Sequence, residues 1–450
     1  MPNKMYRDFP TASNEAFEKS PNICFSVYLP NFLSRFFASP VSLFVPNKIY
    51  RNFPTTSNRS NGKKVSFRLI SSALLFLLAF CTICAAEQFD WPMKGPFLIG
   101  ANFSDFQNYA DIPYWHGGID IRAPYGTEVF SPVSGIVRIS TYRIDASNSP
   151  RKFEYLRSEF PSTSHDRIIR GLDSDSQRYV EVSVVDKNGN NWMFRHIDAK
   201  SIPSKLFSLP GTTQNINSGE FIGRIIRWTE SVYPSAETYN HLHLEILDPE
   251  GNYLNPAIFM KPLLDTEPPV IKGLWIVKNQ SEEVLGGVSP QIPIVSGKID
   301  IVAQIEDTNN SGTYTLSPYS IKMGLWVFKN QTWKEISPIQ YVVKFDKLPI
   351  KGDRTQMVES LYKKRIKFPD GMELKSEGNS KLRTFLYTLT SGDPTRGYKQ
   401  ENCLDLKNFS EDYYSLNVEA SDLAGNTTTK HLTFKVQAPT NSDEGNKNFQ

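Results

Sequence analysis

HLHLEI, residues 241–246, alternates an imidazole or carboxylate with a leucine or isoleucine. Successive side chains of a β-strand point to opposite faces, so Leu242, Leu244 and Ile246 would enter a core while His241, His243 and Glu245 line the other side. The chain has only six histidines in 450 residues, yet two of them stand one residue apart. Solvent gives no reason for that pairing, and burial of imidazoles without partners is unfavourable. The pattern leaves open a solvated strand face, a shared metal, or a metal ligand set beside an acid/base group.

Outward from this stretch the chain reads as all-β. Its 29 phenylalanines, 20 tyrosines and 30 prolines accompany many short alternating segments, the pattern of strands and turns. GTEVFSPVSGIVRIS (126–140) reads as strand, turn at Ser134-Gly135 and strand. YVEVSVVDKNGNNWMFRHI (179–197) reads as a hairpin with a type I′ turn at Asn188-Gly189. SGEFIGRII (218–226) supplies another turn and strand, and residues 141–178 are polar and serine-rich, as in an insertion or long surface loop. Asp265-Thr266-Glu267-Pro268-Pro269 marks a boundary, because two prolines cannot lie inside a sheet. Beyond it KIDIVAQIED, GLWVFKN and YSLNVEASDLAGNTTTKHLTFKV alternate again. In the last of these Tyr414, Leu416, Val418 and Ala420 share one face, Leu432, Phe434 and Val436 share another, and Ala424-Gly425-Asn426 turns between them. The expected organisation is a domain over 87–262, a second over 266–437, and a polar, disordered tail over 438–450.

A net charge of +3 argues for neither nucleic acid nor an acidic partner. Lys63, Lys64 and Arg68 precede an apolar run from Leu69 to Ile83, followed by Cys84-Ala85-Ala86. These are the sections of a secretory signal over 63–86, with cleavage after Ala86; the second reading is a retained single membrane anchor. Both readings send the rest of the chain out of the cytoplasm, to the periplasm or cell envelope. NKMYRDFPTASN (3–14) returns as NKIYRNFPTTSN (47–58). Residues 1–62 therefore read as an extension absent from the mature protein, or else as a cytoplasmic tail. Cys24, Cys81 and Cys84 precede the cleavage point and leave Cys403 alone, so any metal in the exported part must be held by histidine and carboxylate.

Two further places carry chemistry. His116-Gly117-Gly118-Ile119-Asp120 sets a histidine and an aspartate four apart, leading into a strand, with two glycines that let the backbone turn tightly. His196 ends the strand Trp192-Met193-Phe194-Arg195-His196, and alternation puts it on the face of Trp192 and Phe194. His165 and His431 read as surface residues. Glu245 either orients His243 or faces solvent.

In their order along the chain these motifs resemble a known family. HGGIDIRAPYGTEVFSPVSGIV (116–137) resembles the opening signature of the lysostaphin-like, LytM-type zinc metalloendopeptidases that cut peptidoglycan peptides. MFRHID (193–198) is similar to their central histidine segment, INSGEFIGRI (216–225) to their glycine-containing strand, and HLHLEI to their closing HxH. The resemblance covers roughly residues 89–262 and implies an open antiparallel sheet (a barrel-sandwich hybrid) with a groove. It implies one Zn2+ on His116, Asp120 and His243, and His196 with His241 as the catalytic pair. Two imidazoles and one carboxylate leave a fourth position open, the arrangement of a catalytic site. The expected partners are peptidoglycan peptides. The alternative is an inactive relative that binds the wall and activates another hydrolase. Three departures stand out: Phe194 replaces the usual tyrosine, residues 141–178 replace a tight glycine hairpin, and TESVYPSAETYN (229–240) lacks the usual Thr-Gly turn. The segment from DTEPPVI to ASDLAGN is similar to bacterial immunoglobulin-like domains. At about 170 residues it is long for one such sandwich, which implies an insertion or a second small unit. Its expected role is positioning, or contact with an envelope protein.

Overall fold

The HLHLEI stretch lies in a strand, His241–Leu247, third along an open nine-stranded antiparallel sheet. The computed structural model describes residues 88–108, 112–145, 154–159, 179–207, 213–227, 239–308, 312–348, 354–379, 382–393 and 397–437. The extension over 1–62, the signal over 63–86, His165 and the tail over 438–450 fall outside these residues. No helix among the described residues is long and apolar enough to cross a membrane.

The strands of this sheet are β1 (Leu98–Ala101), β2 (Ile119–Arg122), β3 (Gly135–Asp145), β4 (Glu154–Glu159), β5 (Tyr179–Asp186), β6 (Asn191–Ile197), β7 (Gln214–Ile216), β8 (His241–Leu247) and β9 (Tyr253–Leu254). They run in the order β1-β2-β8-β6-β5-β3-β7, with β9 on β8 and β4 on β3. The serine-rich stretch is therefore partly strand: β3 continues to Asp145 and pairs with β4. Register explains the division of faces. Ile119, Leu244, Phe194, Val182 and Ile139 are successive cross-strand neighbours, as are Ile246, Trp192, Val184 and Val137. These apolar rows fill the core, where burying each large side chain contributes roughly 1.5–3 kcal/mol. The neighbouring row on the opposite face is Asp120, His243, Arg195, Glu181 and Ser140. One residue of slip in any strand would exchange the two rows, so the apolar pattern also sets the polar alignment.

The expected type I′ turn is not formed. Four residues join β5 to β6, and Gly189 has a φ of 82° while Asn188 has no positive φ. Asp186 organises the loop instead, accepting hydrogen bonds from the backbone of Asn188 and Asn190 and from the indole of Trp192.

Two five-stranded sheets follow. One contains β10 (Val270–Lys278), β11 (Val284–Gly287), β12 (Lys298–Glu306), β13 (Leu386–Thr388) and Leu404–Asp405. In the other, Tyr413–Ser421 and Thr427–Val436 pair over nine positions, Ser320–Lys329 adds to the first of them, and Thr332–Lys344 forms the edge. Tyr414, Leu416, Val418, Ala420, Leu432, Phe434 and Val436 are all buried, as alternation predicts. The extra length lies between Lys344 and Tyr413, and includes α1 (Arg354–Leu361), an element the sequence reading did not expect. All three large sheets contribute to one continuous apolar cluster, and the described residues form one compact unit.

Candidate metal centre

His116, Asp120 and His243 converge. His243 is the direct cross-strand neighbour of Asp120, which brings the two side chains together without any loop. His116 reaches them from the turn before β2, where its N–H donates to the Asp105 carbonyl and its own carbonyl accepts from the Ser104 N–H. The turn needs Gly118: a Cβ there would lie 2.3 Å from the Leu244 carbonyl oxygen of the adjacent strand. The three ligand atoms stand 2.8 Å (His243 Nδ1 to Asp120 Oδ1), 3.1 Å (His116 Nε2 to His243 Nδ1) and 3.2 Å (His116 Nε2 to Asp120 Oδ1) apart.

The other ring nitrogens settle which atoms face inward. Nδ1 of His116 is 2.8 Å from the Asn102 carbonyl, which can only accept, so Nδ1 donates there and Nε2 is the nitrogen turned to the centre. Nε2 of His243 is 3.0 Å from Glu245, leaving Nδ1 turned to the centre. Zinc bonds of about 2.0 Å in a tetrahedron separate ligand atoms by about 3.3 Å, so this triangle needs only slight expansion to hold such an ion. The donor set and its outer hydrogen bonds fit a divalent metal.

Behind the ligands lies a buried ionic row. Glu245 meets Arg195 at 2.8 Å, and Arg195 meets Glu181 at 2.7 Å. Arg195 and Glu245 are completely buried, so the solvent-facing reading of Glu245 does not hold. At Asp120, burial opposes ionisation, but the facing His241 and His116 hold the carboxyl well below the usual range. At His243, burial opposes the charged form, and hydrogen bonds to Asp120 and Glu245 outweigh it and raise the pKa.

His241 and His196 complete the group. Nδ1 of His241 donates to the Tyr239 carbonyl at 2.8 Å, which leaves Nε2 as the acceptor, 3.5 Å from Asp120. Burial brings His241 down to about 4 despite Asp120. His196 departs from the expected face. It is the extra residue of a bulge where Val180 pairs with Ile197 and Glu181 with Arg195, and its φ is 65°. A bulge re-aims a side chain, and this one turns His196 away from Trp192 and Phe194 toward His241, ring centre to ring centre 4.5 Å. Burial first, then His241 and His243, keep His196 neutral by lowering its pKa well below the ordinary value. His431 is exposed on the last strand, far along the chain from this group.

Sequence reasoning missed Arg195, Glu181 and Tyr239. The phenol of Tyr239 donates to Oδ2 of Asp120 at 3.2 Å, with the Arg122 guanidinium 4.1 Å from its ring centre. Burial, reinforced by Asp120, pushes the phenol pKa up, so it stays a donor. Alternation in YVEVSVVD did signal Glu181 as a charge on a strand face; nothing local signalled Tyr239.

No protein-family model matches the sequence, and no curated protein matches it either. Among solved structures, a chain of the SpoIIQ–SpoIIIAH pore-forming complex aligns with 15% identity and a TM-score of 0.24, covering 39% of this chain and 93% of that one. A likeness of that size carries no argument about function.

Proposed function

We propose that the chain is an exported zinc-dependent endopeptidase that hydrolyses peptide bonds in peptidoglycan cross-links or stem peptides. The observation that carries this reading is the convergence of His116, Asp120 and His243 on one point beside two neutral histidines. The choice of peptidoglycan as substrate rests on the motif resemblance over residues 89–262.

When bound, a zinc ion supplies Lewis acidity toward water and the scissile carbonyl at neutral pH. This chain's own residues divide the remaining work. Neutral His241, with Nδ1 committed to a carbonyl, offers Nε2 as general base. His196, packed against His241, is placed to donate to the carbonyl oxygen as charge develops on it, or to protonate the leaving amine. Glu245 and Tyr239 hold His243 and Asp120 in their rotamers.

One observation favours the alternative, a non-catalytic relative that activates a partner hydrolase: none of the five site side chains is more than 6% exposed. Metal analysis of the purified protein, followed by digestion of purified sacculi, separates the two. Chelator-sensitive release of peptides supports the endopeptidase. Stimulation of a partner without any release by the protein alone supports the alternative.

A further inference from the structure

Arg383 belongs to the segment between Glu377 and the strand at Leu386–Thr388, outside the nine-stranded sheet, yet it stands behind two of the three metal ligands. Its guanidinium is almost completely buried and each hydrogen-bonding edge has a partner. Nε donates to the Gly378 carbonyl at 3.1 Å, and Nη1 donates to Oδ2 of Asp105 at 2.9 Å and to the Thr315 carbonyl at 3.1 Å. Nη2 lies 3.4 Å from the Tyr239 hydroxyl.

Two chains of contacts run from this one group to the centre. Along the first, Tyr239 accepts from Arg383 and donates to Oδ2 of Asp120, which turns Oδ1 toward His116 and His243. Along the second, Asp105 accepts from Arg383 and from the N–H of Asn102, whose carbonyl takes the Nδ1 proton of His116. Asp105 also holds His116 directly, because the His116 N–H donates to its carbonyl. A planar fork of fixed donors holds both chains in one geometry; an ammonium is a point charge on a flexible stem and lacks that pre-organisation.

We propose that Arg383 is a positioning residue for the metal centre, acting on Asp120 through Tyr239 and on His116 through Asp105. The later sheets thereby form part of the centre and are more than an attached module. The competing account is that Arg383 merely staples the two regions together by its ion pair with Asp105. That account requires nothing of Tyr239, whose hydroxyl bridges the guanidinium and the ligand. The inference rests on the metal-binding part of the reading above and not on peptide hydrolysis.

The test is zinc affinity of the full chain, measured by competition with a chromophoric chelator, together with the visible absorption of the cobalt-substituted protein. Tyr239→Phe removes one hydroxyl and one chain of contacts; zinc affinity should fall several-fold and the cobalt bands should shift. Arg383→Met removes both, and affinity should fall by about tenfold to a hundredfold, the usual reach of groups that orient ligands. Arg383→Lys should recover only part of the loss. Should Arg383→Met fail to fold, Arg383→Lys decides, since it keeps a cation for Asp105 and removes the fork that also reaches Tyr239; wild-type affinity in that variant would overturn the proposal. Wild-type affinity and unchanged cobalt spectra in both Tyr239→Phe and Arg383→Met would overturn the proposal while leaving the metal centre standing. A wild-type protein that binds neither zinc nor cobalt would overturn both.

Discussion

Oε1 of Glu245 lies 3.0 Å from Nε2 of His243, two residues away on the same strand. That contact fixes which nitrogen of His243 faces Asp120, and Arg195 fixes Glu245 in turn. Replacing Glu245 with Gln keeps the shape and removes the charge. Zinc affinity should drop about tenfold to a hundredfold, read by chelator competition; an unchanged affinity would mean that His243 is oriented without it.

The five site residues should separate into two classes. Alanine at His116 or His243, or asparagine at Asp120, should abolish stoichiometric zinc. Alanine at His241 or His196 should leave zinc bound and lower peptide release by about a hundredfold or more, the range for lost acid–base groups. Elemental analysis beside a sacculus digestion checks both classes. Loss of metal in the His241→Ala protein would move that residue into the ligand set.

Arg195 is the cation that two buried carboxylates share, at 2.7 Å from Glu181 and 2.8 Å from Glu245. Breaking such a group by removing one partner strands uncompensated charge. Arg195→Met should therefore destabilise the fold by about 3–5 kcal/mol, measured by urea unfolding with metal removed. A cost under about 1 kcal/mol would mean that the carboxylates are neutralised in another way.

Without metal, the site should make stability depend on pH. His241, lowered by burial to about 4, and His196, lowered by burial and by its neighbouring imidazoles, stay neutral when folded but take up protons near 6.5 when unfolded. The unfolded chain then binds more protons across that window, so their contribution is present above about pH 6.5 and lost as pH falls. His243 works in the opposite sense: its raised pKa contributes most below about 6.5 and fades as pH rises. Two depressed groups outnumber one raised group. The melting temperature in chelator should fall from about pH 7 to about pH 5, and the fall should shrink in His241→Ala.

Gly118→Ala should disrupt the centre from the backbone. The added Cβ would meet both the Leu244 carbonyl and the Glu245 side chain, neither of which can retreat from a paired strand. The expected result is a protein of lowered stability with weakened zinc binding, compared by thermal melts with and without added metal.

The sequence carried much of this in its periodicities. Alternation in HLHLEI placed three apolar residues in the core and three polar ones opposite, and the same rule located the buried faces of Tyr413–Ser421 and Thr427–Val436. The glycines of HGGID announced a tight turn; that Gly118 also lies against the Leu244 carbonyl came from the structure. Where alternation broke, reading failed. A single bulge carried His196 to the other face, a consequence of an extra residue that no local pattern shows. The loop at Asn188-Gly189 follows the side chain of Asp186 instead of the dipeptide. Arg383 was out of reach entirely, because its contacts with Tyr239 and Asp105 span 144 and 278 residues.

The most direct measurement is anomalous scattering at the zinc edge from crystals grown with zinc. One strong peak is expected, bounded by Nε2 of His116, a carboxylate oxygen of Asp120 and Nδ1 of His243, with His241 and His196 beside it but outside bonding distance. An empty space among those three atoms, or a peak only at the other acidic cluster of Asp265, Asp307 and Asp422, would contradict that expectation.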